Sequence, residues 1–146
     1  MLKRIIYINL LIVLTTAIQI LWFSPDGISS ANMSTSPLSY IEVSCIIPAI
    51  ILSILSYILH SMQAADSKQL LILSIALVGY WIFANYVEFE DRVASWSTFT
   101  TAETWYYTLI YNPMPLIVCT TVFVVGAHLI FSNTRNQHIY LVPNGR

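Results

Sequence analysis

The sequence predicts an all-α polytopic membrane protein: four transmembrane helices in one bundle, with both termini cytoplasmic. Three observations carry this reading. First, charge is scarce: 57% of the 146 residues are hydrophobic and 9% are charged, against about a quarter charged in an average soluble domain. Second, the few charges cluster and leave four apolar windows between them, from Ile5 to Phe23, Val43 to Met62, Leu70 to Val87 and Leu116 to Phe131. A helix needs about 20 apolar residues to cross a bilayer core. The last window is short, but it extends on its N-terminal side, because Thr104 to Asn133 holds no charge. The expected spans are therefore 5–23, 42–62, 70–87 and 113–131, with outer loops at 24–41 and 88–112 and an inner tail at 132–146. Third, the charges are sorted by sign. Lys3, Arg4, Lys68, Arg135 and Arg146 fall on one side with Asp66. Asp26, Glu88, Glu90, Asp91 and Glu103 fall on the other with Arg92, and Glu42 lies at that boundary. The positive-inside rule then places both termini in the cytoplasm, in a plasma or inner membrane. Basic residues spread so thinly make no nucleic-acid footprint.

Lys3 and Arg4 before an apolar run resemble the start of a signal peptide. The run is longer than a signal core, and no small-x-small site follows Trp22 and Phe23. A retained first span is expected. It carries Asn9, Thr16 and Gln19 on one side, which should face other helices because polar groups in lipid need partners. Trp22 and Phe23 suit an aromatic belt. Ser24-Pro25-Asp26-Gly27 is a turn cluster, and the outer loop after it holds the sequon Asn32-Met33-Ser34.

In the second span, Glu42, Cys45, Ala49, Ser53, Ser56 and His60 recur at steps of three or four among isoleucines and leucines. A stripe of small residues is how lipid-embedded helices approach a neighbour. The spacing predicts a central helix with the packing stripe Cys45, Ala49, Ser53 and Ser56 turned inward and a kink at Pro48. The short polar link 63–68 makes the second and third helices antiparallel neighbours.

The third span aligns Ser74, Trp81, Asn85 and Glu88 on one line, with Tyr80, Trp81 and Tyr86 crowding its outer half. In the second outer loop, Thr100 and Glu103 form a capping box that predicts a helix from Thr101. That helix carries Trp105, Tyr106, Tyr107, Ile110 and Tyr111 up to Asn112-Pro113-Met114-Pro115, and is expected at the membrane surface or on a partner. The fourth span contains Cys119, Thr120, Thr121, Gly126 and His128. The two helix pairs share loop lengths but no repeated residue pattern.

Several residues are candidates for chemistry. His60 and His128 lie at similar depth near the inner ends of two helices, where facing imidazoles would ligate a b-type haem; the plain alternative is two interfacial side chains. A quinol near Trp81 belongs to the same redox reading. Cys45 and Cys119 match in depth near the outer surface. They would form a disulfide if their helices touched, and are otherwise small packing residues. Glu88, Glu90 and Asp91, with Gln19, Glu42 and Asn85 nearby, would offer hard oxygen ligands to a metal or an entry for a polar substrate; the alternative is a solvated rim. No carboxylate sits at mid-depth, where an ion-coupled carrier would need one. No catalytic triad, phosphate loop or metal-spaced Cys/His cluster is present. The expectation is a structural or accessory subunit of a larger membrane complex, without catalytic activity of its own, whose partners are the bilayer and other integral subunits. A small redox protein is the alternative, and a small carrier or channel the third.

Overall fold

The computed structural model describes residues 2–23, 37–92, 99–111 and 113–140. Its elements are α1 (Leu2–Phe23), α2 (Pro37–Ser61), α3 (Asp66–Arg92), the short α4 (Thr101–Tyr106), one π-helical turn (Tyr107–Tyr111) and α5 (Met114–Tyr140). Four of these are long and apolar enough to cross a membrane, over Lys3–Phe23, Ile41–Ser61, Asp66–Glu90 and Met114–Asn133. The sequon at Asn32 and the turn at 24–27 lie outside the described residues.

The helices overrun the expected spans at their polar ends. α3 begins at Asp66 rather than Leu70, and α5 continues to Tyr140 through part of the expected tail. Charge marks where lipid ends, but a helix stops only where its backbone hydrogen bonds are broken. Asp66 in the first turn of α3 suits the positive end of the helix dipole, and no glycine or proline follows Gly126 until Pro143. α2 has a genuine stop. Gln63 takes a left-handed φ of 54°; its N–H bonds the His60 carbonyl and the Ala64 N–H bonds the Leu59 carbonyl, both at 3.0 Å. This pair of bonds is the Schellman closure, made here without the usual glycine.

α1 packs against α2, α3 and α5, while α3 packs against α1, α2 and α5. α1 and α3 therefore form the inner diagonal of a four-sided bundle and separate α2 from α5. This corrects the expectation that the second helix is central. The inward face of α2 consists of Ser44, Cys45, Pro48, Leu52, Ser56 and Leu59. Ala49 and Ser53 are half-buried, and Glu42 and His60 are exposed. Eighteen residues make about five full helical turns, so Glu42 and His60 share one direction, on the flank of the buried stripe beside Ala49 and Ser53, while Cys45 and Ser56 lie nearer its middle.

The core is built from four-residue rows: Ile8 and Ile12 on α1, Leu73, Leu77 and Trp81 on α3, and Cys119, Phe123, Ala127 and Phe131 on α5. Gly126 lets α1 approach α5. A Cβ there would lie 2.9 Å from Leu11 Cδ2. Side-chain contacts fix which ends meet. Arg4 on α1, Asp66 and Gln69 on α3 and Phe131 on α5 share one end. Gln19 on α1 and Asn85 on α3 mark the other, where Glu42, Glu88, Glu90 and Glu103 also lie.

Candidate functional site

The polar lines read on α1 and α3 meet each other. The Trp81 indole N–H donates to Thr16 Oγ1 at 3.0 Å. One turn further toward the acidic end, Gln19 Nε2 donates to Asn85 Oδ1 at 2.9 Å. Glu88 follows one turn beyond Asn85 and is buried. Thr16, Gln19, Trp81 and Asn85 are each 0% exposed, so this seam is enclosed by protein rather than lipid. Enclosure is what the chemistry requires, since a polar group facing hydrocarbon without a partner costs several kcal/mol. Each amide uses one end in this bond. Gln19 Oε1 and Asn85 Nδ2, one acceptor and one donor, have no hydrogen-bond partner among the described residues.

α4 and the π turn pack on α3 at the same end. Tyr86 and Trp105 have ring centroids 4.4 Å apart, Phe89 stacks on Tyr107 at 5.5 Å, and Phe99 meets both Phe89 and Tyr107 edge-on. The aromatic segment thus docks on its own chain. Its start is the predicted capping box: the Thr100 N–H donates to Glu103 Oε2 at 2.8 Å and the Glu103 N–H to Thr100 Oγ1 at 3.3 Å. The Thr100 N–H, and after it the Thr100 hydroxyl donating to the same Oε2 at 2.8 Å, hold the Glu103 carboxyl below its ordinary range. The helix does not stay α-helical to Tyr111 as the sequence predicts, but widens into the π turn from Tyr107.

The opposite end is closed by Arg4. Its guanidinium donates to Gln69 Oε1 at 2.7 Å, lies 2.9 Å from Asp66 Oδ1, and sits 3.8 Å over the centre of the Phe131 ring. Gln69 Nε2 donates onward to the Ala64 carbonyl at 2.7 Å. One cation so ties α1 to α3 and α5. Sequence reasoning read Arg4 only as a topology signal and missed this clamp. The signal available was Asp66, the lone acid among the residues assigned to the basic side.

The structure does not bring the other candidate pairs together. His60 and His128 are both exposed and sit on α2 and α5, with α1 and α3 between those helices. Cys45 and Cys119 occupy the same two helices and are free, buried thiols. Cys45 Sγ lies 3.9 Å from the Val13 carbonyl, and Cys119 belongs to the core. Glu88 is buried whereas Glu90 is exposed. Two helix positions differ by about 200° in direction, so these carboxylates diverge; the Asp91 side chain lies outside the described residues. Among the described residues no group of three His, Cys, Asp or Glu is placed to hold a metal. Trp81, suggested for a quinol, is fully buried with its N–H bonded to Thr16. Compared with known proteins, the chain matches no family model, no curated protein and no solved structure.

Proposed function

We propose that the chain is a structural, non-catalytic subunit of a larger integral membrane complex, with its acidic end outside and both termini cytoplasmic. The observation that carries this reading is the outer face of α2. Ile46, Ile47, Ile50, Ile51, Ile54 and Ile58 form one ridge, each between 41% and 57% exposed. Lipid would wet such a ridge, and a protein neighbour could pack on it at little cost. A β-branched side chain on a helix is already held in one rotamer, so packing it costs little further side-chain entropy. The seam and the clamp add support, because the long-range polar contacts described above join elements of the same chain and so steady the bundle that presents the ridge. α2 packs chiefly on α1 and α3, so its outer face stands at a corner of the bundle, as that of α5 does; the isoleucine ridge is what sets α2 apart.

The test is native electrophoresis of the full chain in mild detergent. The expected result is a species well above the mass of one chain that collapses to a single chain in Ile50→Trp and Ile54→Trp. Val125→Trp, an equally exposed site on α5, should leave it intact. Migration of the unaltered protein as a lone 16.5 kDa bundle would remove the proposal.

A further inference from the structure

The polar link between α2 and α3 opens onto a groove that shares Ala64, Asp66 and Phe131 with the Arg4 clamp. It runs between α3 and α5, has a volume of about 1240 Å³, and is lined by both polar and apolar side chains. Asp66, Ser67 and His128 supply polar groups, while Leu70, Leu71 and Val124 line the remainder. We propose that this groove binds a phospholipid with a primary-amine headgroup, its ammonium on Asp66 and its acyl chain against Leu70, Leu71 and Val124.

Size, polarity and charge each narrow the occupant. Pockets for compact small molecules run to roughly 300–1,000 Å³; this groove is larger, and its lining joins the polar groups of Asp66, Ser67 and His128 to apolar side chains, the two kinds of surface a bilayer amphiphile carries. The mouth lies at the end of the bundle that holds Arg4, Asp66 and Lys68, one flank of the spans Asp66–Glu90 and Met114–Asn133, where headgroups reside. Asp66 selects among headgroups. Its side chain is 40% exposed beside Arg4, and a carboxylate with about four acceptor positions keeps capacity after one guanidinium contact. An ammonium can donate to it, a quaternary choline cannot, and the hydroxyls of an anionic headgroup without an amine make only the weaker, uncharged-donor bond. Ser67 and His128 offer an O–H and an N–H to the phosphate that the same headgroup carries. The site stands independently of the subunit assignment, because it needs only a bundle in a bilayer.

The experiment reconstitutes the full chain into vesicles of equal parts phosphatidylethanolamine, phosphatidylglycerol and phosphatidylcholine with matched acyl chains. The protein is re-extracted with detergent washes, and its retained lipid is identified by mass spectrometry. Phosphatidylethanolamine should be enriched roughly threefold over each of the others, the discrimination one exposed ion pair supplies. Asp66→Asn should abolish the preference. Val124→Trp, which puts bulk into the lining of the groove, should remove the retained lipid, whereas Val125→Trp should keep it. Equal retention of the three lipids, a preference that survives Asp66→Asn, matching behaviour of the two tryptophan variants, or recovery of a quinone in place of lipid would each overturn the proposal.

Discussion

Pro48 removes one amide from α2, and the consequence can be followed to a single atom on α3. A proline at position i leaves the carbonyl at i−4 without its helical donor, and here that carbonyl is Ser44's. The Tyr80 hydroxyl donates to the Ser44 oxygen at 2.9 Å, so a neighbouring helix satisfies the group that the proline freed. In lipid no water can take that role. Tyr80→Phe should therefore cost about 1 kcal/mol, as for a single buried hydrogen bond. In a Pro48→Ala background the amide returns, and the same substitution should cost less than half as much. Denaturation of the four proteins of this cycle by sodium dodecyl sulphate, followed by circular dichroism, measures the coupling. Equal costs in the two backgrounds would show that Tyr80 serves α2 in some other way. The proline was legible in the sequence together with its need for help. Its helper was not, because Tyr80 is 32 positions away and becomes a neighbour only once α2 and α3 have paired.

At the scale of elements, α4 shows how a six-residue helix is held. A piece so short does not form alone, since nucleation fixes several residues before any hydrogen bond is gained. The Thr100–Glu103 box closes its N-terminus, and Trp105 and Tyr107 anchor it to Tyr86 and Phe89 on α3. Because the folded state holds the Glu103 carboxyl below its ordinary range, the capping contribution is present above the ordinary glutamate range. It is lost as pH falls through the depressed folded value. Amide exchange at Glu103 and Thr104 should accordingly accelerate in acid beyond the intrinsic trend, and Glu103→Gln should erase that step; an unchanged profile would mean that the aromatic contacts alone hold α4. The box could be read from four residues because it is a local device. The docking of the aromatic segment on its own chain could not, since aromatic residues beside a membrane suit a lipid interface equally well.

Across the whole molecule, depth was legible and the order of helices around the bundle was not. Hydropathy and charge place residues along the membrane normal, which is why the four spans could be anticipated, and polar side chains in lipid mark the inward sides of α1 and α3. Asn9, Thr16 and Gln19 were expected to face protein; Thr16 and Gln19 are fully buried, and Asn9 Oδ1 lies 2.8 Å from Ser53 Oγ on α2. Equal depth says nothing about which corner of the bundle a residue occupies. His60 and His128, and likewise Cys45 and Cys119, match in depth yet sit on α2 and α5, on opposite corners. The Gln19–Asn85 bond needed the same missing information, the order of helices around the bundle. Depth in turn gives a sharp prediction for the entire chain. Met62, 72% exposed at the end of α2, lies at the clamp end, and the exposed Ala102 lies in α4 at the acidic end. Met62→Cys and Ala102→Cys place single reporters there, and the two native thiols are buried. With a membrane-impermeant maleimide, Ala102→Cys should label in intact cells and Met62→Cys only after permeabilisation. The inverse pattern would reverse the orientation inferred from charge, and labelling of both from one face would be incompatible with α3 crossing the membrane between them.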